Sequence, residues 1–194
     1  MTRCYEIMRD LPTVPREYVD LAFRTVNESQ VPPQNPSYQR LAVKNGKVST
    51  SRTNPRFGLE SIMADWVDAY ISQDWLQISI SNSVTVDQNN CQDHIHGAHT
   101  DTTRQYALLY LLEASNSDQT TIFYQEPNKG VRRRRGLFLE NMDELIQIDS
   151  ITIPLQTWIY FDTSILHAVE NIQNSRVAIQ ISFDCEPFGV FIKD

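Results

Sequence analysis

The sequence predicts a mainly β fold with flanking α-helices: an antiparallel sandwich or barrel with two N-terminal helices packed on its outside. Three observations lead there. Apolar residues recur at helical spacing in the first 75 positions, then alternate with polar residues at a period of two from Trp75 onward. The alternating part divides into short runs separated by turn residues, the signature of antiparallel β architectures. With 194 residues, 41% hydrophobic and 21% charged, the chain has the composition of one ordinary domain, 1–194.

Taken in order, the first element is a helix after Thr13 and Pro15, a capping residue and a first-turn proline. Val19, Ala22, Phe23 and Val26 form its apolar stripe. The Pro/Asn/Ser-rich stretch from Gln30 to Pro55 reads as loop, with a short hairpin around Asn45-Gly46. A second helix carries Ile62, Met63, Trp66, Val67, Tyr70 and Ile71 on one face. Both stripes read as core-facing. Positions 1–75 are therefore a helical support and loop region, and 76–194 a β core. Leu76, Ile78 and Ile80 alternate with Gln77, Ser79 and Ser81, as in a strand with one buried face. Further strands are expected at 105–113, 120–125, 136–140, 146–154, 157–161, 165–170 and 176–184.

Seventeen basic and twenty-four acidic residues give a net charge of −7, which argues against sequence-independent nucleic-acid binding. The longest apolar run, Tyr106 to Leu112, is far short of the ~20 residues of a membrane helix, and MTRCYEIMRD lacks the apolar centre of a signal peptide. Cys4, Cys91 and Cys185 are odd in number and lack CxxC spacing. Free thiols in a reducing compartment, by default the cytoplasm, are the simplest expectation.

The chemistry concentrates in DHIHGAHTD, Asp93 to Asp101, which holds three of the four histidines. In a continuous strand His94 and His96 share one face and His99 and Asp101 the other, unless Gly97 introduces a bulge. Two metal readings compete. One uses His94 and His96, as in cupin-type sites. The other uses His99 and Asp101 with a distant third ligand, the two-histidine, one-carboxylate triad that leaves positions open on Fe(II). Downstream, His167 lies in WIYFDTSILHAVENI, and Arg176 opens RVAIQISF. An arginine facing into a barrel is costly unless it meets an anion, although a structural ion pair with Glu170 or Asp162 would also serve.

His99-Thr100-Asp101, His167 and Arg176 together resemble the Fe(II)/2-oxoglutarate-dependent oxygenase superfamily, and HAVENIQNSRVAIQISFD looks most like its prolyl-4-hydroxylase-type branch. The resemblance covers about 77–184 and implies a double-stranded β-helix (jelly-roll, cupin-like) core. It implies that His99, Asp101 and His167 hold Fe(II) and are the catalytic centre. 2-Oxoglutarate would chelate the metal, with Arg176 pairing its far carboxylate. In this branch a tyrosine on the strand after HxD often adds a hydroxyl. Tyr110 in ALLYLLEA is the match, though Leu112 stands where asparagine is usual, and Ala178 stands where some relatives have serine.

The implied activity is that of a dioxygenase, a hydroxylase that uses O2 and releases succinate and CO2. The resemblance leaves the substrate open among amino acids, peptides and small metabolites, and it leaves oligomeric state open. Arg132, Arg133, Arg134 and Arg135 read as a solvated loop that could also receive an anionic substrate. Ser79, Ser81 and Asn82 could face the co-substrate, and Trp158 and Phe161 read as packing residues. The alternative is a cupin-like metal- or ligand-binding module without oxidative activity, built on His94 and His96; a third reading is a metal-free interaction domain.

Overall fold

The structure, a computed structural model, describes residues 4–28, 38–39, 43–44, 47–48, 59–72, 74–84, 98–102, 104–114, 117–126, 133–134, 136–138, 141–171 and 175–184. Cys91, His94, His96, Gly97, Arg132, Arg135, Cys185 and most of the Gln30–Pro55 stretch lie outside the described residues, as do the side chains of Val26, Ile62, Ser81 and Asn82.

The chain begins with strand β1 (Tyr5–Ile7) and helix α1 (Arg16–Glu28). Pro15 stands just before the helix, and its carbonyl accepts the amides of Tyr18 and Val19 at 3.0 and 3.2 Å, so the missing proline N–H costs nothing there. Short strands β2 (Tyr38–Gln39), β3 (Val43–Lys44) and β4 (Lys47–Val48) follow. Val43 pairs with Val48 and Lys44 with Lys47, the hairpin expected around Asn45-Gly46. Helix α2 (Leu59–Tyr70) leads into the long strand β5 (Gln77–Val84), and Trp75 closes that junction by donating its indole N–H to Asp68 at 2.7 Å. The β core continues through β6 (Tyr106–Ala114), β7 (Thr120–Gln125), β8 (Arg133–Arg134), β9 (Leu137–Phe138), β10 (Ile146–Ile151), β11 (Trp158–Asp162), β12 (Leu166–Glu170) and β13 (Ser175–Phe183).

These strands form antiparallel sheets, and the fold is mainly β. The large sheet has the order β1-β11-β6-β13-β5-β2; the smaller has β10-β7-β12. Isolated bridges from His99 to His167 and from His99 to Leu137 extend the smaller sheet toward β9, which pairs with β8. Among the described residues no helix is long and apolar enough to cross a membrane.

Alternation divides the large sheet into two faces. Leu108, Tyr110 and Leu112 of β6, Trp158 of β11, and Val177, Ile179, Ile181 and Phe183 of β13 join one core cluster with Ala22 of α1 and Met63, Ala64 and Val67 of α2. Trp66 of α2 stacks on Trp158 at 6.0 Å. Burying each of the larger aliphatic side chains, such as Met63 and Val67, contributes about 1.5–3 kcal/mol, so the helices are held by their apolar stripes. The opposite face places Ala107, Leu109, Leu111, Ile159, Phe161 and Ala178 against Phe123 and Ile151 of the smaller sheet. The outer face of the smaller sheet has its own cluster of Ala98, Ile122, Tyr124, Phe138, Leu166 and Ala168. Trp158 and Phe161 are thus packing residues, on opposite faces of one strand.

Candidate metal centre

β12 explains His167 by parity. Leu166 and Ala168 enter the outer cluster, so His167 between them turns inward between the sheets and is only 6% exposed. The short extended segment 98–101 lies beside it. His99 N–H donates to the His167 carbonyl at 3.0 Å and His167 N–H donates to the His99 carbonyl at 2.9 Å, a reciprocal pair that sets both side chains on one face. On the other edge, Thr100 N–H donates to Gly136 and Phe138 N–H to Ala98, at 2.8 and 2.9 Å. Gly136 has φ +83, and a Cβ there would sit 2.1 Å from the Thr100 carbonyl oxygen, so only glycine lets the chain approach the ligand segment this closely. Asp101 continues the alternation, and its amide donates to the Thr163 carbonyl at 3.0 Å.

The result is a cluster in which one donor atom each from His99, Asp101 and His167 lies within 4.8 Å of the others, close enough to hold a single metal ion. The His99 and His167 rings are 4.5 Å apart, and His99 Nε2 is 4.0 Å from Asp101 Oδ1, longer than a hydrogen bond. His167 Nδ1 lies 2.8 Å from the Ile165 carbonyl oxygen, which fixes the proton on Nδ1 and leaves Nε2 as the donor, a common arrangement for metal-binding histidines. Phe161 and Phe123 border the His167 ring at 5.4 and 6.4 Å and give the centre an apolar wall.

Burial first, and the neighbouring His99 second, push the His167 pKa down to about 4 against the pull of Asp101, so the ring is neutral at ordinary pH. Burial by itself would raise the Asp101 carboxyl, yet the Arg104 charge and then His167 outweigh it and hold Asp101 below its ordinary value. A neutral imidazole at His167 and an ionised carboxylate at Asp101 are the protonation states that metal binding requires of those two groups.

Arg176 is 6% exposed and lies on the β13 face that holds Ala178, Gln180 and Ser182, opposite the helix-side core. It pairs in register with Ser83 of β5 and Ala114 of β6. The buried arginine expected from the sequence therefore faces the layer between the sheets. Ser79, also buried, stands opposite Gln180 on that face.

Tyr110 requires a correction. The structure does not bring it to the cluster: it lies on the helix-side face of β6, 1% exposed, 4.8 Å from the Trp158 ring, with its hydroxyl bonded to the Val14 backbone. The inward positions of β6 are Leu109 and Leu111, one residue to either side. Parity with the apolar residues of β6 decides the matter, and Tyr110 falls with Leu108 and Leu112.

One neighbour escaped sequence reasoning. Arg104 Nε donates to Asp101 Oδ2, while its Nη1 donates to Gln180 Oε1 at 2.9 Å and Ser182 Oγ at 3.2 Å. The signal is present as HTDTTR: an arginine three residues past the carboxylate, across a turn, is placed to pair with one of its oxygens.

No protein-family model matches the chain, and none of the curated proteins compared with it is similar.

Proposed function

We propose that the protein is an Fe(II)- and 2-oxoglutarate-dependent oxygenase that hydroxylates a C–H bond of an amino-acid, peptide or small-metabolite substrate. The observation that carries this reading is the convergence of His99, Asp101 and His167 within 4.8 Å, in a layer that also holds the buried Arg176. Two imidazoles and one carboxylate are the donor set associated with non-haem Fe(II). A double-stranded β-helix is supported by the chain path. From β5 onward, segment 98–101 and strands β7, β10 and β12 belong to the smaller sheet, while β5, β6, β11 and β13 belong to the larger. The chain crosses between the sheets at nearly every connection.

In this reading His99 Nε2, His167 Nε2 and one Asp101 oxygen hold the iron, and the Ile165 carbonyl keeps the His167 ring in its ligating tautomer. Iron, 2-oxoglutarate and O2 together supply the oxidising chemistry, with succinate and CO2 released. The protein's part is placement. Arg176 binds the far carboxylate of the co-substrate through its guanidinium fork. Phe123 and Phe161 exclude water from the His167 side of the centre. The test is succinate formation from 2-oxoglutarate with Fe(II), ascorbate and a panel of amino acids and peptides. Turnover above the no-iron control in wild type, and its loss in His99→Ala, is expected; equal succinate in both proteins would overturn the reading.

A further inference from the structure

A carboxylate that serves as the third ligand of such a centre has two oxygens, and how many it gives to the metal decides how many positions stay open. If Asp101 were free to rotate it could chelate with both oxygens and close a position the co-substrate needs. The structure contains a device against that. Asp101 Oδ2 is occupied by Arg104 Nε, and Oδ1 alone is directed toward His99.

Arg104 is itself fixed at several points. Its Nη1 is anchored by Gln180 and Ser182 on β13, and its side chain is only 11% exposed. Its backbone is held too: the fully buried Thr163 donates its hydroxyl to the Arg104 carbonyl at 3.0 Å and its N–H to the Gln105 carbonyl at 2.8 Å. The Thr163 carbonyl in turn accepts the Asp101 amide at 3.0 Å. Thr163 therefore clips both ends of the 101–105 turn four residues before His167. A guanidinium spanning two elements in this way has the geometry of an orienting group rather than of a solvated counter-charge.

We infer that Arg104 is a positioning residue that restricts Asp101 to one-oxygen donation and so keeps the metal open to the co-substrate. The inference rests on the metal reading proposed above. It separates from a purely electrostatic role because a lysine keeps the charge but cannot reach Asp101, Gln180 and Ser182 in the same planar arrangement. It separates from a purely structural role because the coordination number of the bound metal would then be indifferent to the substitution.

The experiment is anaerobic titration of the full chain with Co(II), recording the visible d–d spectrum, followed by titration with 2-oxoglutarate. Wild type, Arg104→Met and Arg104→Lys are compared. Both variants are expected to bind Co(II) with an altered d–d spectrum and about 10–100-fold lower affinity, as usual for loss of an outer-shell partner, and to bind the co-substrate more weakly than wild type. A wild-type spectrum and affinity in Arg104→Lys would overturn the positioning role, and a lowered melting temperature with unchanged spectrum in both variants would do the same. Wild-type protein that binds no Co(II) would overturn the metal reading and this assignment with it. Should the Arg104 variants fail to fold, the double variant Gln180→Met, Ser182→Ala removes the anchor and leaves the charge. It is expected to shift the spectrum in the same sense, and an unchanged spectrum there overturns the inference.

Discussion

The two faces of strand β13 set contrasting requirements within nine residues. Val177, Ile179, Ile181 and Phe183 are at most 2% exposed and meet the two helices in a layer built mainly of apolar and aromatic side chains. The alternate residues Arg176, Ala178, Gln180 and Ser182 are also buried, at most 8% exposed, but face the second sheet, where Gln180 and Ser182 bond Arg104 beside the His99, Asp101 and His167 cluster. The helix side solves a packing problem, where volume and shape decide. The inner side holds charge in a place that only partners make tolerable. Adjacent residues on one strand should therefore control different observables, and substitutions can separate them.

The largest effect is expected at the inner side. His167→Ala should abolish stoichiometric metal binding, lowering affinity by well over 100-fold in an anaerobic titration, because three protein donors are the minimum this cluster offers. Phe183→Ala on the helix side should instead cost about 3–5 kcal/mol in urea denaturation. It should leave metal stoichiometry per folded molecule unchanged. Loss of metal in the folded Phe183 variant would break the separation.

Acidity provides a third comparison, made on metal-free protein. Burial lowers the His167 pKa to about 4 from 6.5, so the unfolded chain takes up this proton first as pH falls. The stability contributed by the neutral ring is complete above pH 6.5 and is lost progressively toward pH 4. The expected loss is about 2 kcal/mol between pH 7 and pH 5. His167→Asn should flatten that slope; an equally steep slope in the variant would place the titrating group elsewhere.

Two smaller effects compare charged and uncharged hydroxyl or guanidinium partners. Arg176→Met should weaken 2-oxoglutarate binding to the metal-loaded protein by about 1.5–3 kcal/mol while sparing metal affinity, as for loss of a charge-assisted hydrogen bond. Tyr110→Phe should leave co-substrate affinity unchanged and cost about 0.5–1.5 kcal/mol of stability, for the bond between its hydroxyl and the Val14 backbone. A loss of co-substrate affinity in Tyr110→Phe would contradict its placement on the helix side.

The sequence made the elements legible because their periods differ. Met63 and Val67 recur at helical spacing and are both fully buried, and the strand expected at 120–125 coincides with β7. His99 and Asp101 share one centre, as alternation along a strand requires, and Ala98 turns into the outer cluster, while His94 and His96, expected on the opposite face, lie outside the described residues. What escaped depends on long-range pairing. Nothing local in Tyr5–Ile7 shows that it will pair with Ile159–Phe161 as an edge strand. Tyr110 was placed by its likeness to a motif, whereas the alternation of its own neighbours, Leu108 to Leu112, assigns it to the other face. Arg104 shows in the sequence only once the second oxygen of Asp101 is given a partner, because their contact spans a turn and is anchored by Gln180 and Ser182 of a distant strand.

The proposed oxygenase requires that the His99, Asp101 and His167 cluster hold iron in a form that binds a 2-oxo acid. The most direct measurement is anaerobic: Fe(II) and then 2-oxoglutarate are added to purified protein while the visible spectrum is recorded. The account predicts a weak charge-transfer band from the chelate in wild type and none in His99→Ala. Iron bound by wild type with no band on adding 2-oxoglutarate, or a band undiminished in His99→Ala, would contradict it.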